Sequence, residues 1–169
     1  VLSWIDGARV SFAPVMGVAL DGAPVGALSV AASTTPRDPL LMTAGEALSL
    51  GAEVSGGTWL GCYGEPRLLY TDRAFFKGPH GNSDRRTVHL GVDVFMPAGT
   101  PVHAPFDGVV EAVEYRDGHL DYGGLAVLRH ETPTGDQFLS LYGHLSRATV
   151  AALSVGQRIS RGARFASLG

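Results

Sequence analysis

Two residues with metal-ligand chemistry stand four apart near the middle of the chain, His89 and Asp93, within TVHLGVDVF. Neutral imidazole and carboxylate are ligands that a divalent zinc ion accepts, and a catalytic zinc keeps one position open for water or substrate. On a helix this spacing would bring both side chains onto one face. Here Gly91 lies between Val88 and Val92, and β-forming residues surround the pair, so an extended segment ending in a bend is expected. Spacing alone leaves two readings open: half of a metal site, or a polar pair at the edge of a sheet.

The chain has six histidines, at 80, 89, 103, 119, 130 and 144. His80 and His119 fall in polar loops, where solvation is the expected state. His103 alternates into a short strand before Ala104-Pro105 and reads as a pocket wall. His144 lies in FLSLYGHL, where period-two alternation places Phe138, Ser140, Tyr142 and His144 on one face. Leu139 and Leu141 then face the other way, into the core, and Tyr142 with His144 lines a cleft or a half-exposed sheet surface. His130 ends the preceding strand, LAVLRH, with its expected neighbour across the hairpin near Gln137, and takes a supporting role at most.

The elements that must position these residues are mainly β. From residue 87 onward, TVHLGVDVF, TPVHAP, GVVEAVEY, LAVLRH, QFLSLYGHL, QRISR and ARFASL are short runs rich in Val, Leu, Phe and Tyr, separated by glycine turns. That spacing predicts a compact antiparallel sheet, a sandwich or an open barrel. Residues 147 to 153, RATVAAL, read as a short helical turn, and Gly156 and Gly162 mark two short strands turning at glycines. Upstream, residues 1 to 34 read as two or three strands broken by Gly, Pro and Asp-Gly turns. Residues 37 to 52 read as one short helix, with Asp38 as N-cap and Pro39 at the first helical position. A glycine-rich bridge with one strand follows at 56 to 66, then a strand over 68 to 76 and a polar loop over 77 to 86. The domain reading is a connector-like N-terminal extension over 1 to 60 and a main domain over 61 to 169.

Composition narrows the partners. The 169 residues are 45% hydrophobic and 17% charged, with 23 glycines and ten prolines, which suits a compact, turn-rich fold. A formal net charge of −3 and the lack of a basic block argue against nucleic acid. Cys62 is the only cysteine, so neither an internal disulfide nor a multi-cysteine zinc site can form. No apolar run is long enough to span a bilayer, and no signal-peptide pattern is present in a chain that begins at Val1 rather than Met.

Five motifs in order carry a resemblance: HLGVD at 89 to 93, AGTPVHAPFDGVV at 98 to 110, VLRH at 127 to 130, LYGHL at 141 to 145 and VGQRISRG at 155 to 162. With them, residues 87 to 169 resemble the lysostaphin/LytM-type zinc metalloendopeptidases, whose fold is a duplicated hybrid motif. The resemblance implies His89 and Asp93 as zinc ligands and His144 as a catalytic-site histidine bonded to the reacting group or metal-bound water. It implies a peptide or peptidoglycan-like substrate. It also implies a later H-x-H strand that supplies the third ligand and a second catalytic histidine. No H-x-H occurs in these residues, so the metallopeptidase domain is expected to be incomplete at its C-terminus. YGEPRLLYTDRAFF at 63 to 76, joined to RTVHLGVDVFMPAGTPV, is similar to the peptidase-like module of bacterial fusion proteins, where it sits between a kinase-like phosphotransferase and a class III aminotransferase. That setting implies the cytoplasm, whereas a cell-wall hydrolase works outside it.

Two rivals stand beside the peptidase. One is a non-catalytic, metallopeptidase-like scaffold or binding module inside a multidomain enzyme. The other is a swinging-arm carrier, since APFDGVVEAV and VGQRISRGARFASL also resemble biotinyl and lipoyl domains. Those carriers need a lysine at a hairpin tip. The only lysine, Lys77, lies in the polar loop ahead of these motifs, and the carrier reading fails there.

Overall fold

Glycine punctuation and β-branched runs resolve into a mainly β protein of short antiparallel sheets in a computed structural model. The structure describes residues 2–7, 12–18, 20–23, 25–26, 58–66, 88–118 and 121–169. The chain divides into two compact units, one of residues 1–20 with 97–169 and the other of residues 21–96.

The smaller set of strands lies in the unit of residues 21–96. β1 (Val25–Gly26) pairs in parallel with β2 (Trp59–Gly61). β3 (Glu65–Pro66) pairs antiparallel with β4 (Val88–His89), and β5 (Asp93–Phe95) runs antiparallel to β2. The bridge at 56 to 66 thus yields a strand where one was expected. The expected helix over 37 to 52, strand over 68 to 76 and loop over 77 to 86 lie outside the described residues.

The other unit is built on a four-stranded antiparallel sheet. Its strands are β7 (Gly108–Arg116), β8 (Gly123–Glu131), β9 (Gln137–Leu145) and β10 (Arg158–Ile159), in the order β10-β7-β8-β9. β6 (Pro101–His103) forms a separate antiparallel pair with β11 (Arg164–Ser167). β8 is flanked on both sides, which explains why GGLAVLRHE is nearly continuous in apolar residues and buries Leu125, Ala126 and Leu128. Met16, Val102, Ala104, Val110, Leu145, Leu153, Ile159 and Ala166 are buried in the same unit.

Two helices are described. α1 (Leu2–Gly7) falls where strands were expected. Six residues are too few for a helix stable on its own, and contact holds this one: the Trp4 ring packs 5.0 Å from Phe106 and 5.9 Å from Phe138. α2 (Arg147–Ala152) is the predicted helical turn. Ser146 caps it, its hydroxyl accepting from the Thr149 N–H at 3.2 Å, and the Ser167 N–H donates to Thr149 Oγ1 at 2.9 Å, tying the helix to β11. The two strands expected around Gly156 and Gly162 are β10 and β11.

Candidate active site

Each part of the candidate site is held by backbone pairing. His89 ends β4, where its carbonyl accepts from the Gly64 N–H at 2.9 Å and its partner across the ladder is Glu65. The chain bends at Gly91 and resumes at Asp93, which pairs with Gly61. Two residues on, Phe95 stacks on Trp59 with ring centroids 4.0 Å apart and planes 5° from parallel. This is the extended segment and bend that the glycine between Val88 and Val92 predicted.

The bend brings the two side chains together. His89 Nδ1 lies 3.7 Å from Asp93 Oδ2, and each side chain is about three-quarters covered. That separation is too long for a hydrogen bond. Nδ1 itself is buried and has no hydrogen-bond partner, a state that costs free energy unless something engages the atom. Gly91 leaves the ring its space, since a Cβ there would stand 3.0 Å from His89 Cε1 and Nε2. An imidazole nitrogen and a carboxylate oxygen that share zinc at about 2.0–2.2 Å each can lie no more than about 4.4 Å apart. The donor types, the orphaned nitrogen and the spacing therefore fit a metal ion. Among the described residues, no third His, Cys, Asp or Glu joins them to form a metal-binding group.

His144 lies in the other unit and is exposed. Its backbone has φ 54°, the one positive value among the described non-glycine residues. The cause is a β-bulge. Tyr142 pairs with Ala126 and Leu145 with Gly124, so Gly143 and His144 together oppose only Leu125. The His144 N–H donates to the Tyr122 carbonyl at 2.7 Å, and its own carbonyl accepts from the Gly169 N–H at 2.9 Å. Both neighbouring glycines are required by close approach. A Cβ on Gly143 would come within 2.8 Å of the Tyr122 ring, and one on Gly124 within 2.2 Å of the Leu145 carbonyl oxygen.

The bulge corrects the sequence expectation for β9. Leu139 and Leu141 face outward, 60% and 53% exposed, and Phe138, Ser140 and Tyr142 form the inner face. Alternation holds up to Tyr142 and then slips, so that Leu145 becomes the buried residue and His144 leaves the row. His130 is also more than a supporting residue. It is 1% exposed, pairs with Phe138 beside Gln137, and both ring nitrogens are bonded, Nδ1 to the Asp107 carbonyl at 2.9 Å and Nε2 to Ser140 Oγ at 2.7 Å. His103 ends β6 as expected, its N–H donating to the Val15 carbonyl and its ring set against Gly17. His80 and His119 lie outside the described residues.

With this geometry in view, part of the chain can be compared with known proteins. Residues 87–169 match Peptidase family M23. The M23 segment covers just under half of the chain and contains His89, Asp93, His103, His130 and His144. An "uncharacterized metalloprotease" of Haemophilus influenzae is 40% identical over 90 residues, 53% of this chain and 17% of that protein. Two proteins of Vibrio cholerae are also similar. The peptidoglycan DD-endopeptidase ShyA is 36% identical over 86 residues, 51% of this chain and 18% of that protein. The peptidoglycan DD-endopeptidase ShyC is 33% identical over 81 residues, 48% of this chain and 16% of that protein. The chain thus spans less than a fifth of the length of each. The mainly β fold agrees with the one that the M23 motifs imply. Among the described residues, no helix is long and apolar enough to cross a membrane.

Proposed function

We propose that this chain carries the catalytic domain of a zinc-dependent metalloendopeptidase that hydrolyses peptide bonds of peptidoglycan, acting outside the cytoplasm. The observation that carries the reading is the buried, unpartnered Nδ1 of His89 set beside the Asp93 carboxylate inside the M23 segment. Relatives named as peptidoglycan endopeptidases supply the substrate class.

In this reading His89 and Asp93 are two of the zinc ligands. When bound, zinc polarises the scissile carbonyl and lowers the pKa of its water to about 7. β3 and β2 fix the two ligands before metal arrives, which spares binding the cost of ordering them. His144 takes and returns protons through its exposed imidazole, with the bulge holding its backbone in place. The third ligand implied by the motifs, a histidine of an H-x-H pair, is not among these 169 residues.

The test uses the full-length protein with purified peptidoglycan sacculi, reading released peptides by mass spectrometry and bound metal by elemental analysis. We expect zinc near one equivalent, cleavage within the peptide stems or cross-links, and loss of both in His89→Ala and Asp93→Ala. His144→Ala should keep the metal and lose at least about 100-fold in rate, the scale of a general acid–base group. Unchanged zinc in Asp93→Ala would refute the ligand assignment. Zinc without cleavage would favour a non-catalytic scaffold.

A further inference from the structure

β9 is an edge strand of its sheet, and the bulge that presents His144 lies near its end. Its outward face offers little to hold it, since Leu139 and Leu141 are more than half exposed. Beyond its pairing with β8, the described backbone contacts near its end are the bridge from Leu145 to Leu168 and the Gly169 N–H donating to the His144 carbonyl. The inner face carries something unusual for a sheet interior, a row of polar side chains. Ser140 Oγ lies 2.7 Å from His130 Nε2 and 3.0 Å from Tyr142 Oη, and His130 Nδ1 lies 2.9 Å from the Asp107 carbonyl oxygen.

The polarity of this row follows from chemistry. A carbonyl only accepts, so Nδ1 carries a proton, while Nε2 lies 2.7 Å from Ser140 Oγ. The Ser140 hydroxyl donates to Tyr142 Oη at 3.0 Å. Each group in the row has a partner, and the row links Asp107, just before β7, with β8 and β9. Phe138 stacks on His130 at 4.9 Å, Phe106 stands 5.9 Å away, and Tyr142 packs edge-on to Phe165 at 5.0 Å. A satisfied buried polar network admits one register where apolar packing tolerates several.

We infer that His130, Ser140 and Tyr142 are positioning residues. Their hydrogen-bonded row locks β9 immediately before the Gly143–His144 bulge and so sets where the His144 imidazole is held. The functional meaning rests on the peptidase reading above, but the geometric claim does not. Slippage of β9 by one residue would exchange its two faces, and a displacement of about 1 Å at a reacting group can cost about 100-fold in rate.

The test compares Ser140→Ala, Ser140→Thr and the core truncation Val110→Ala in the full chain, below the melting temperature of each. The first readout is the carbon–proton Cε1–Hε1 resonance of His144, assigned by its disappearance in His144→Ala. The second is the split between kcat and KM on peptidoglycan. Ser140→Ala should move the His144 resonance and lower kcat by about tenfold to a hundredfold with KM within about twofold. Ser140→Thr, which restores the hydroxyl, should recover both. Val110→Ala should destabilise the fold and leave both near wild type. A His144 resonance unmoved in Ser140→Ala, or moved equally in Val110→Ala, would overturn the inference. If no variant and no wild-type chain cleaves, the peptidase reading fails, and the resonance alone still decides this one.

Discussion

Gly91 sits against the ring of His89, and the smallest possible addition tests what that space does. In Gly91→Ala the new methyl would stand 3.0 Å from two ring atoms, tighter than ordinary van der Waals contact, so the imidazole must turn or shift. We expect zinc affinity to fall by at least about tenfold, the scale seen when the support of a metal-binding histidine is disturbed. Competition with a chromogenic chelator measures it, and an unchanged affinity would show that the ring has another place to go. Tyr142 supports a second expectation at this scale. Burial holds its hydroxyl above the ordinary phenol range. The unfolded chain, with a phenol near 10, therefore loses this proton first as pH rises. The associated stability is complete below pH ~10 and is lost as pH climbs through the folded value. Difference absorbance near 295 nm between the wild type and Tyr142→Phe should show one phenol ionising late, with unfolding soon after.

At the scale of elements, the bulge in β9 sets side chain against backbone. A histidine at φ 54° occupies the left-handed region that glycine enters freely and other L-residues enter at a cost of about 1–2 kcal/mol. His144→Gly should therefore be more stable than His144→Ala by about 1 kcal/mol in chemical denaturation, with both inactive. Equal stabilities would mean that the pairing to Tyr122 and Gly169 relaxes once the imidazole is gone. The same bulge marks where the sequence stops being legible. Val88, Gly91 and Val92 announce an extended segment with a bend, because strand propensity and a glycine act locally. Period-two counting places Phe138, Ser140 and Tyr142 together, correctly, but it cannot register an inserted residue and carries His144 along with them. The choice of which face is buried also fails. Leucines outrank serine and tyrosine in hydrophobicity, yet the buried face of β9 is the one that meets His130. That partner comes from β8 pairing, which no property of β9 alone contains. α1 is illegible for a similar reason, being held by Trp4 on Phe106 and Phe138 rather than by its own propensity.

At the scale of the whole molecule, the motif order read along the chain separates into two compact units. HLGVD belongs to the unit of residues 21–96, and the other four motifs belong to the unit of residues 1–20 and 97–169. The M23 match runs across both. The sequence shows the motifs in register but not this division, because unit boundaries depend on which contacts form across long separations. The chain has two tryptophans, and each unit holds one, Trp4 beside Phe106 and Phe138, and Trp59 against Phe95. Trp4→Phe and Trp59→Phe thus give single-tryptophan chains whose indole emission, excited near 295 nm where the tyrosines absorb little, tracks one unit at a time. Tags and labels are unnecessary: ultraviolet light alone can tell whether metal, substrate or denaturant is felt first around Asp93 or around His130.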